Sequence, residues 1–229
     1  MITNDRVVEF IKSLEHDRDG VLSEVEKAAI EDGVPIIRKE AESFLETLVA
    51  AMRPERILEL GTGTGYSALL MRESMPEGGH IITVENYPKR IEAARENIKK
   101  AGAQDEITLI EGDAADVIKN LRKNFSFSFD FVFMDAAKGQ YLSCLEGIIP
   151  LLCDGAVVVA DNVLLEGSVV ESKFVMERRE RTIHMRMREF LYVLKNDERF
   201  KTTIVPVGDG MTVSVFARDG REGVRDEKA

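Results

Sequence analysis

Cysteine, proline, histidine and long apolar runs are all scarce in this 229-residue chain, and each scarcity closes off a class of protein. The two cysteines, Cys144 and Cys153, lack C-x-x-C spacing and lie in apolar surroundings, which excludes a disulfide framework and fits reduced core thiols. Six prolines and 17 glycines are too few for a fibrous or low-complexity chain. The three histidines, His16, His80 and His184, are scattered and argue against a zinc site. No stretch approaches the roughly 18 unbroken apolar residues of a spanning helix, and Asp5, Arg6, Glu9 and Lys12 interrupt any signal-peptide apolar region. The expectation is a soluble, unexported, cytoplasmic protein with no membrane partner.

Positive charge is also short. Against 41 Asp and Glu stand 31 Lys and Arg, a net charge of −10, so the molecule as a whole is no general binder of nucleic acid. The average hides a local reversal: between Lys173 and Lys201, nine basic residues face five acidic ones, a net of +4.

What is present suits one compact domain, with 44% apolar and 31% charged residues and no repeat or linker. Short β-rich runs at 56–60, 80–85, 107–110, 130–134 and 156–160 alternate with helical stretches, which implies right-handed crossovers and a parallel sheet. Uninterrupted runs such as Phe131-Val132-Phe133 and Val157-Val158-Val159 suit strands covered on both faces. Two further strands, 202–207 and 211–217, are joined through Gly208-Asp209-Gly210, too short for a crossover, so the last strand runs antiparallel. Three helices precede the first strand. The third, 39–52, carries Phe44, Leu45, Leu48, Val49 and Met52 at helical spacing and caps the sheet. Ile183, Met187, Phe190, Leu191 and Leu194 form an apolar stripe on a long helix before the final hairpin, and Met185 and Met187 are read as core. The division expected is a cap over 1–52, a core over 53–218 and a flexible tail over 219–229.

The first strand runs into Glu59-Leu60-Gly61-Thr62-Gly63-Thr64-Gly65-Tyr66-Ser67, where glycine permits close ligand approach and positive φ. The spacing is G-x-G-x-G, not the G-x-G-x-x-G of dinucleotide enzymes, which disfavours a nicotinamide dehydrogenase. Glu85 ends the second strand, where an acid in a doubly wound sheet accepts from a ribose diol. Asp113, ending the third, suits an exocyclic amino group such as adenine's. Either acid alone is equally a solvated strand end or a helix cap. At the fourth and fifth strand ends stand Asp135 with Lys138, and Asp161-Asn162; two carboxylates and an amide oxygen suit a hard cation such as Mg²⁺, although Asp161-Asn162 alone also reads as a turn.

In this order, the 59–67 motif, Glu85, Asp113-Ala114, Asp135 with Lys138, Asp161-Asn162 and Val207-Gly208-Asp209-Gly210 resemble the cation-dependent S-adenosylmethionine O-methyltransferases, which include the catechol and caffeoyl-coenzyme A enzymes. The resemblance runs from about residue 35 to 217. It implies an α/β, Rossmann-like, doubly wound seven-stranded sheet with the last strand antiparallel. It further implies that Ile37, Glu59, Gly61, Gly63, Tyr66, Ser67, Glu85, Asp113, Ala114 and Asp135 surround S-adenosylmethionine. By the same resemblance Asp135, Asp161 and Asn162 hold Mg²⁺, and Asp135 and Lys138 are catalytic; a homodimer is the expected assembly, although the sequence itself does not reveal the oligomeric state.

Within that group, the arginine-rich stretch with Arg178, Arg179, Arg181 and Arg186 is most similar to bacterial tRNA 5-hydroxyuridine methyltransferases, which make 5-methoxyuridine at wobble position 34. This implies the anticodon loop of tRNA as partner. The alternatives are a solvated helix face on an enzyme for small catechols or hydroxycinnamoyl esters, and a nucleotide-sensing module without catalysis, which would leave Asp135 and Asp161-Asn162 unexplained. A phenol-like hydroxyl near pKa ~10 needs help to ionise at neutral pH, which a directly bound divalent cation supplies. Lys138 then serves as base or as positioning charge.

Overall fold

The computed structural model describes residues 4–124, 128–172, 174, 176–177 and 180–219. Three helices come first: α1 (Asp5–Lys12), α2 (Gly20–Glu31) and α3 (Lys39–Met52). Asn4 caps α1 by accepting from the Arg6 amide, and Asp5 and Lys12 sit at the ends where the helix dipole favours their charges. There follow β1 (Arg56–Leu60), α4 (Tyr66–Ser74), β2 (His80–Glu85), α5 (Pro88–Lys100), β3 (Ile107–Glu111), α6 (Ala114–Asn124) and β4 (Phe129–Met134). The chain closes with α7 (Tyr141–Ile148), β5 (Leu152–Ala160), α8 (Arg181–Asn196), β6 (Phe200–Val205) and β7 (Met211–Phe216).

The seven strands form one sheet in the order β3-β2-β1-β4-β5-β7-β6, and β7 runs antiparallel to both of its neighbours. Strand direction therefore agrees with the sequence reading. From β1 the chain winds outward to β3 and returns to place β4 beside β1, so the strand order reverses between β1 and β4. A crevice opens at such a reversal, outside the carboxyl ends of the strands.

Both faces of the sheet are covered, because alternate strand residues point opposite ways. Leu58, Leu60, Val132, Met134 and Val158 pack with residues of α6, α7 and α8, among them Ile118, Leu145 and Phe190. On the other face Ile57, Phe131, Phe133, Val157 and Val159 pack with Leu22, Val25, Leu45, Val49, Leu70 and Ile98 of α2 to α5. Helices α2 and α3 of the expected cap are thus part of the second face.

Several boundaries differ from the sequence reading. Strand β5 starts four residues earlier, since Leu152 pairs with Phe129 ahead of a register shift that accommodates Gly155 at φ +81°. On α8 the buried line is His184, Met187, Phe190 and Leu194, while Ile183 and Met185 are exposed. Each residue turns the helix by about 100°, so Ile183 lies one step off that line and His184 takes its place; Met185 is no core residue. Met52 is likewise exposed, at the point where α3 ends and Arg53 turns left-handed at φ +49°. Cys144 is buried and Cys153 partly so, both free thiols. Residues 220–229 of the expected tail lie outside the described residues. Among the described residues no helix is long and apolar enough to cross a membrane.

Candidate active site

A cavity of about 500 Å³ occupies the crevice. Its lining combines Ile37, Gly61, Gly63, Tyr66, Ser67, Glu85 and Ala114 with Asp135, Lys138, Asp161 and Asn162. These strand ends meet because β2, β1, β4 and β5 are consecutive parallel neighbours in the sheet.

Gly61 is indispensable where it stands: a Cβ there would lie 2.2 Å from the Asp135 carbonyl oxygen, and its φ is +101°. Close contact between the β1 and β4 ends is also made by the Asp135 amide donating to the Leu60 carbonyl at 2.8 Å. Next along the turn, the Gly63 amide donates to Glu85 Oε2 at 2.9 Å, while Glu85 Oε1 accepts from the amides of Asn86 and Tyr87. A carboxylate has about four lone-pair positions. Three are therefore occupied, and Oε2 keeps one for a ligand hydroxyl. This is a narrower offer than the pair of ribose contacts expected from the sequence.

Two residues of the expected cofactor set stand outside the lining. Glu59 is fully buried beneath the turn, where its oxygens accept from Ser67 Oγ at 2.5 Å and from the Thr83 hydroxyl. Burial pushes its carboxyl up to about 7, against the lowering effect of those two hydroxyls. Asp113 caps α6 by accepting from the Ala115 amide, and its other oxygen accepts from Gln140 Nε2 at 2.8 Å. Both acids brace parts of the cavity wall through protein groups.

The opposite half of the cavity is charged. The carboxyls of Asp135 and Asp161 are both raised above the ordinary range, chiefly by burial; Asp161 and Glu59 add to the effect at Asp135, and Asp209 adds to it at Asp161. Asp161 Oδ1 accepts from the Asn162 amide at 2.6 Å, and Asn162 itself is left-handed at φ +55°. The Asp161 carbonyl accepts from the Tyr141 hydroxyl at 2.9 Å, which holds the end of β5 against α7.

Asp209 is a site residue that the sequence placed only inside a turn motif. It is buried, its Oδ1 accepts from the Glu166 amide, and its Oδ2 lies 3.9 Å from Lys138 Nζ. Gly210 and Asp209 carbonyls also accept from the amides of Val163 and Leu164, so the β6–β7 turn clamps the segment after β5. Arg38 and Glu166, which pair across the cavity at 3.2 Å, were likewise unassigned. The sequence signals for Asp209 are an acid between two turn glycines and its place in the motif that carries the family resemblance.

Of the four arginines expected to grip a substrate, Arg178 and Arg179 lie outside the described residues. Arg181 donates to the Met176 carbonyl, and Arg186 Nη1 donates to the Gly139 carbonyl at 3.1 Å, beside Lys138. Neither lines the cavity.

Among the described residues no three His, Cys, Asp or Glu side chains are grouped to hold a metal. A cation here would rest on Asp135, Asp161 and the Asn162 amide oxygen. A buried Asp161 and a partly buried Asp135 whose charged forms are disfavoured match that role, because a cation offsets the desolvation and repulsion that raise them.

Comparison with known proteins agrees with this architecture. The sequence profile of the O-methyltransferase family matches residues 12–216. A catechol O-methyltransferase of Niastella koreensis is 32% identical over 169 residues, 73% of this chain and 76% of that protein. A caffeoyl-CoA O-methyltransferase of Zea mays is 34% identical over 177 residues, 74% of this chain and 67% of that protein. Among solved structures, the O-methyltransferase of Bacillus cereus in complex with SAH superposes with a TM-score of 0.81 at 26% identity, covering 92% of this chain and 97% of that one. The chain belongs to the O-methyltransferase family and is an enzyme that transfers a methyl group to oxygen.

Proposed function

We propose that the enzyme takes the methyl group from S-adenosylmethionine and places it on a hydroxyl that has a second oxygen beside it, with a divalent cation, Mg²⁺, held by Asp135, Asp161 and Asn162. The observation that carries this reading is the meeting, in one cavity, of a glycine cradle with Glu85 and of a carboxylate set with Lys138. The SAH named in the Bacillus cereus complex supports the cofactor.

Glu85 Oε2, with its one remaining lone-pair position, would accept from a ribose hydroxyl, and Tyr66 and Ile37 wall the cofactor. Gly63, with open space where a Cβ would stand, lets the cofactor approach the backbone, while the close approach of Gly61 and the link from Leu60 to Asp135 keep methyl donor and acceptor neighbours. The cation, when bound, lowers the cost of the acceptor oxyanion. Lys138, near Asp209, presents a positive charge toward the same oxygen. A charged Lys138 orients the acceptor; with its proton lost, it would receive the hydroxyl proton at Nζ.

The acceptor favoured is a small catechol or hydroxycinnamoyl-type phenol, in keeping with the names of the catechol and caffeoyl-CoA relatives. A second reading, 5-hydroxyuridine at wobble position 34 of tRNA, is favoured by the +4 segment between Lys173 and Lys201 and by Arg186 at the Lys138 turn. Its hydroxyl and neighbouring carbonyl oxygen present the same paired-oxygen chemistry. Methyl transfer to a catechol and to hydroxyuridine-containing tRNA, each with and without chelator, separates the readings. Turnover of the catechol alone, lost in chelator, is expected; turnover of the tRNA alone would replace the acceptor, and undiminished rates in chelator would remove the metal.

A further inference from the structure

Tyr66 opens α4 directly after Gly65, and its buried ring forms part of the cavity wall. Its hydroxyl points the other way, donating at 2.8 Å to Oε2 of Glu42 on α3. Glu42 is 3% exposed, so its charge needs partners within the protein. Arg18, between α1 and α2, supplies the first: its Nε donates to Glu42 Oε1 at 2.5 Å, and its Nη2 to Glu46 Oε2 at 2.6 Å. The two acids stand one helical turn apart, which lets one planar guanidinium engage both. Arg18 Nη1 also lies 3.7 Å from Glu73 near the end of α4. The other cation is Lys39, 3.3 Å from Glu42 and shared with Glu26 at 2.7 Å.

We propose that Arg18, remote from the reacting atoms, is a positioning residue for cofactor binding: by neutralising Glu42 it fixes the Tyr66 hydroxyl, and with it the ring that walls the cofactor. This rests on the reading that the cavity binds S-adenosylmethionine. Without Arg18, Lys39 faces Glu26 and Glu42 while Glu46 and Glu73 lose their guanidinium. Glu42 then keeps only Lys39, which Glu26 shares, and with its Arg18 side open to water it holds the Tyr66 hydroxyl less firmly.

The test is a double-variant cycle on S-adenosylhomocysteine affinity, measured by titration calorimetry on the full chain. Arg18→Gln and Tyr66→Phe should each weaken binding about tenfold, the loss of one charge-assisted hydrogen bond, and Arg18→Gln, which touches no part of the cavity, should keep turnover at saturating cofactor within about twofold. Because both act through one hydroxyl, the combined variant should be no weaker than either alone. Arg18→Lys, which keeps the charge and loses the fork, should fall between. Wild-type affinity in Arg18→Gln, or losses that multiply in the combined variant to about a hundredfold, would overturn the proposal. If Arg18→Gln does not fold, Arg18→Lys and its combination with Tyr66→Phe complete the same cycle. A wild-type chain that fails to bind S-adenosylhomocysteine overturns the cofactor reading and this proposal together; a wild-type chain that binds while the variants match it overturns only the positioning role.

Discussion

The two halves of the cavity are built on opposite principles. On the side of β1 and β2, shape is set by backbone: positive-φ glycines, the close approach of Gly61 to Asp135, and a Glu85 carboxylate that three amides already orient. On the side of β4 and β5 stand Asp135, Asp161, Asp209 and Lys138, and the nearby backbone is strained at Asn162, Leu165 and Glu166, all non-glycine residues at φ between +51° and +55°. Such conformations cost of order 1–3 kcal/mol each. In the first half the carboxylates of Glu59 and Glu85 are held by protein donors; in the second, Asp135 and Asp161 carry charges that desolvation disfavours. A pocket that binds one molecule and reacts with another divides in this way, since binding rewards a finished surface and chemistry rewards groups poised to change.

The largest effect should come from breaking the charged half alone. Asp161→Asn should lower turnover by at least about 10³-fold, roughly 4 kcal/mol in the barrier, while S-adenosylhomocysteine affinity stays within about twofold. In chelator the same variant should be no less stable to heat than wild type, because one repelling charge has gone from beside Asp135. Initial rates, calorimetry and thermal melts check this; full activity of the variant would end the metal assignment.

Damage to the backbone-built half should read out in affinity. Glu85→Ala should weaken S-adenosylmethionine by about 1.5–3 kcal/mol, with a smaller change in rate at saturating cofactor. Unchanged affinity by titration would remove Glu85 from the ribose.

The smallest effect sharpens the comparison, because Glu59 lies in the first half and burial disfavours its charge. Its folded value of about 7 lies above the ordinary 4.5. Between those values the folded state holds a proton that the unfolded state has released, so Glu59 costs stability increasingly as pH rises from about 4.5 through about 7, and fully above that. Glu59→Gln should therefore gain relative to wild type across this window, by about 1–2 kcal/mol at pH 8 once the amide's poorer hydrogen bonds are counted. Denaturant melts at pH 5 and pH 8 measure it; a difference that shrinks with rising pH would show that Glu59 is ionised with ease.

How far the site could be read from the chain differs residue by residue. Gly61, Glu85, Asp135 and Asp161 were legible because each ends a strand, and the ends of parallel neighbours must meet. Glu59 and Asp113 carry the same local signature, yet Glu59 is opposite Thr83 in the β1–β2 register and Asp113 faces Gln140, so protein groups claim their oxygens first. The placing of Ile183 on the buried stripe of α8 failed for a related reason: apolar spacing there tolerates a turn of one residue, and only packing against the sheet selects His184 instead.

By itself the sequence determined the alternation of strands and helices, the reversed last strand and the row of acids at the strand ends, because hydrophobic period, glycine and short connections act over a few residues. The tertiary structure alone decided which acids face the cavity. It inserted β7 between β5 and β6, which carries Asp209 to Lys138, and it folded the N-terminal cap so that Arg18 reaches Glu42 behind Tyr66. Those contacts join residues 24 to 71 positions apart, and whether a carboxylate meets a cation, an amide or a ligand depends on distances that no local pattern encodes.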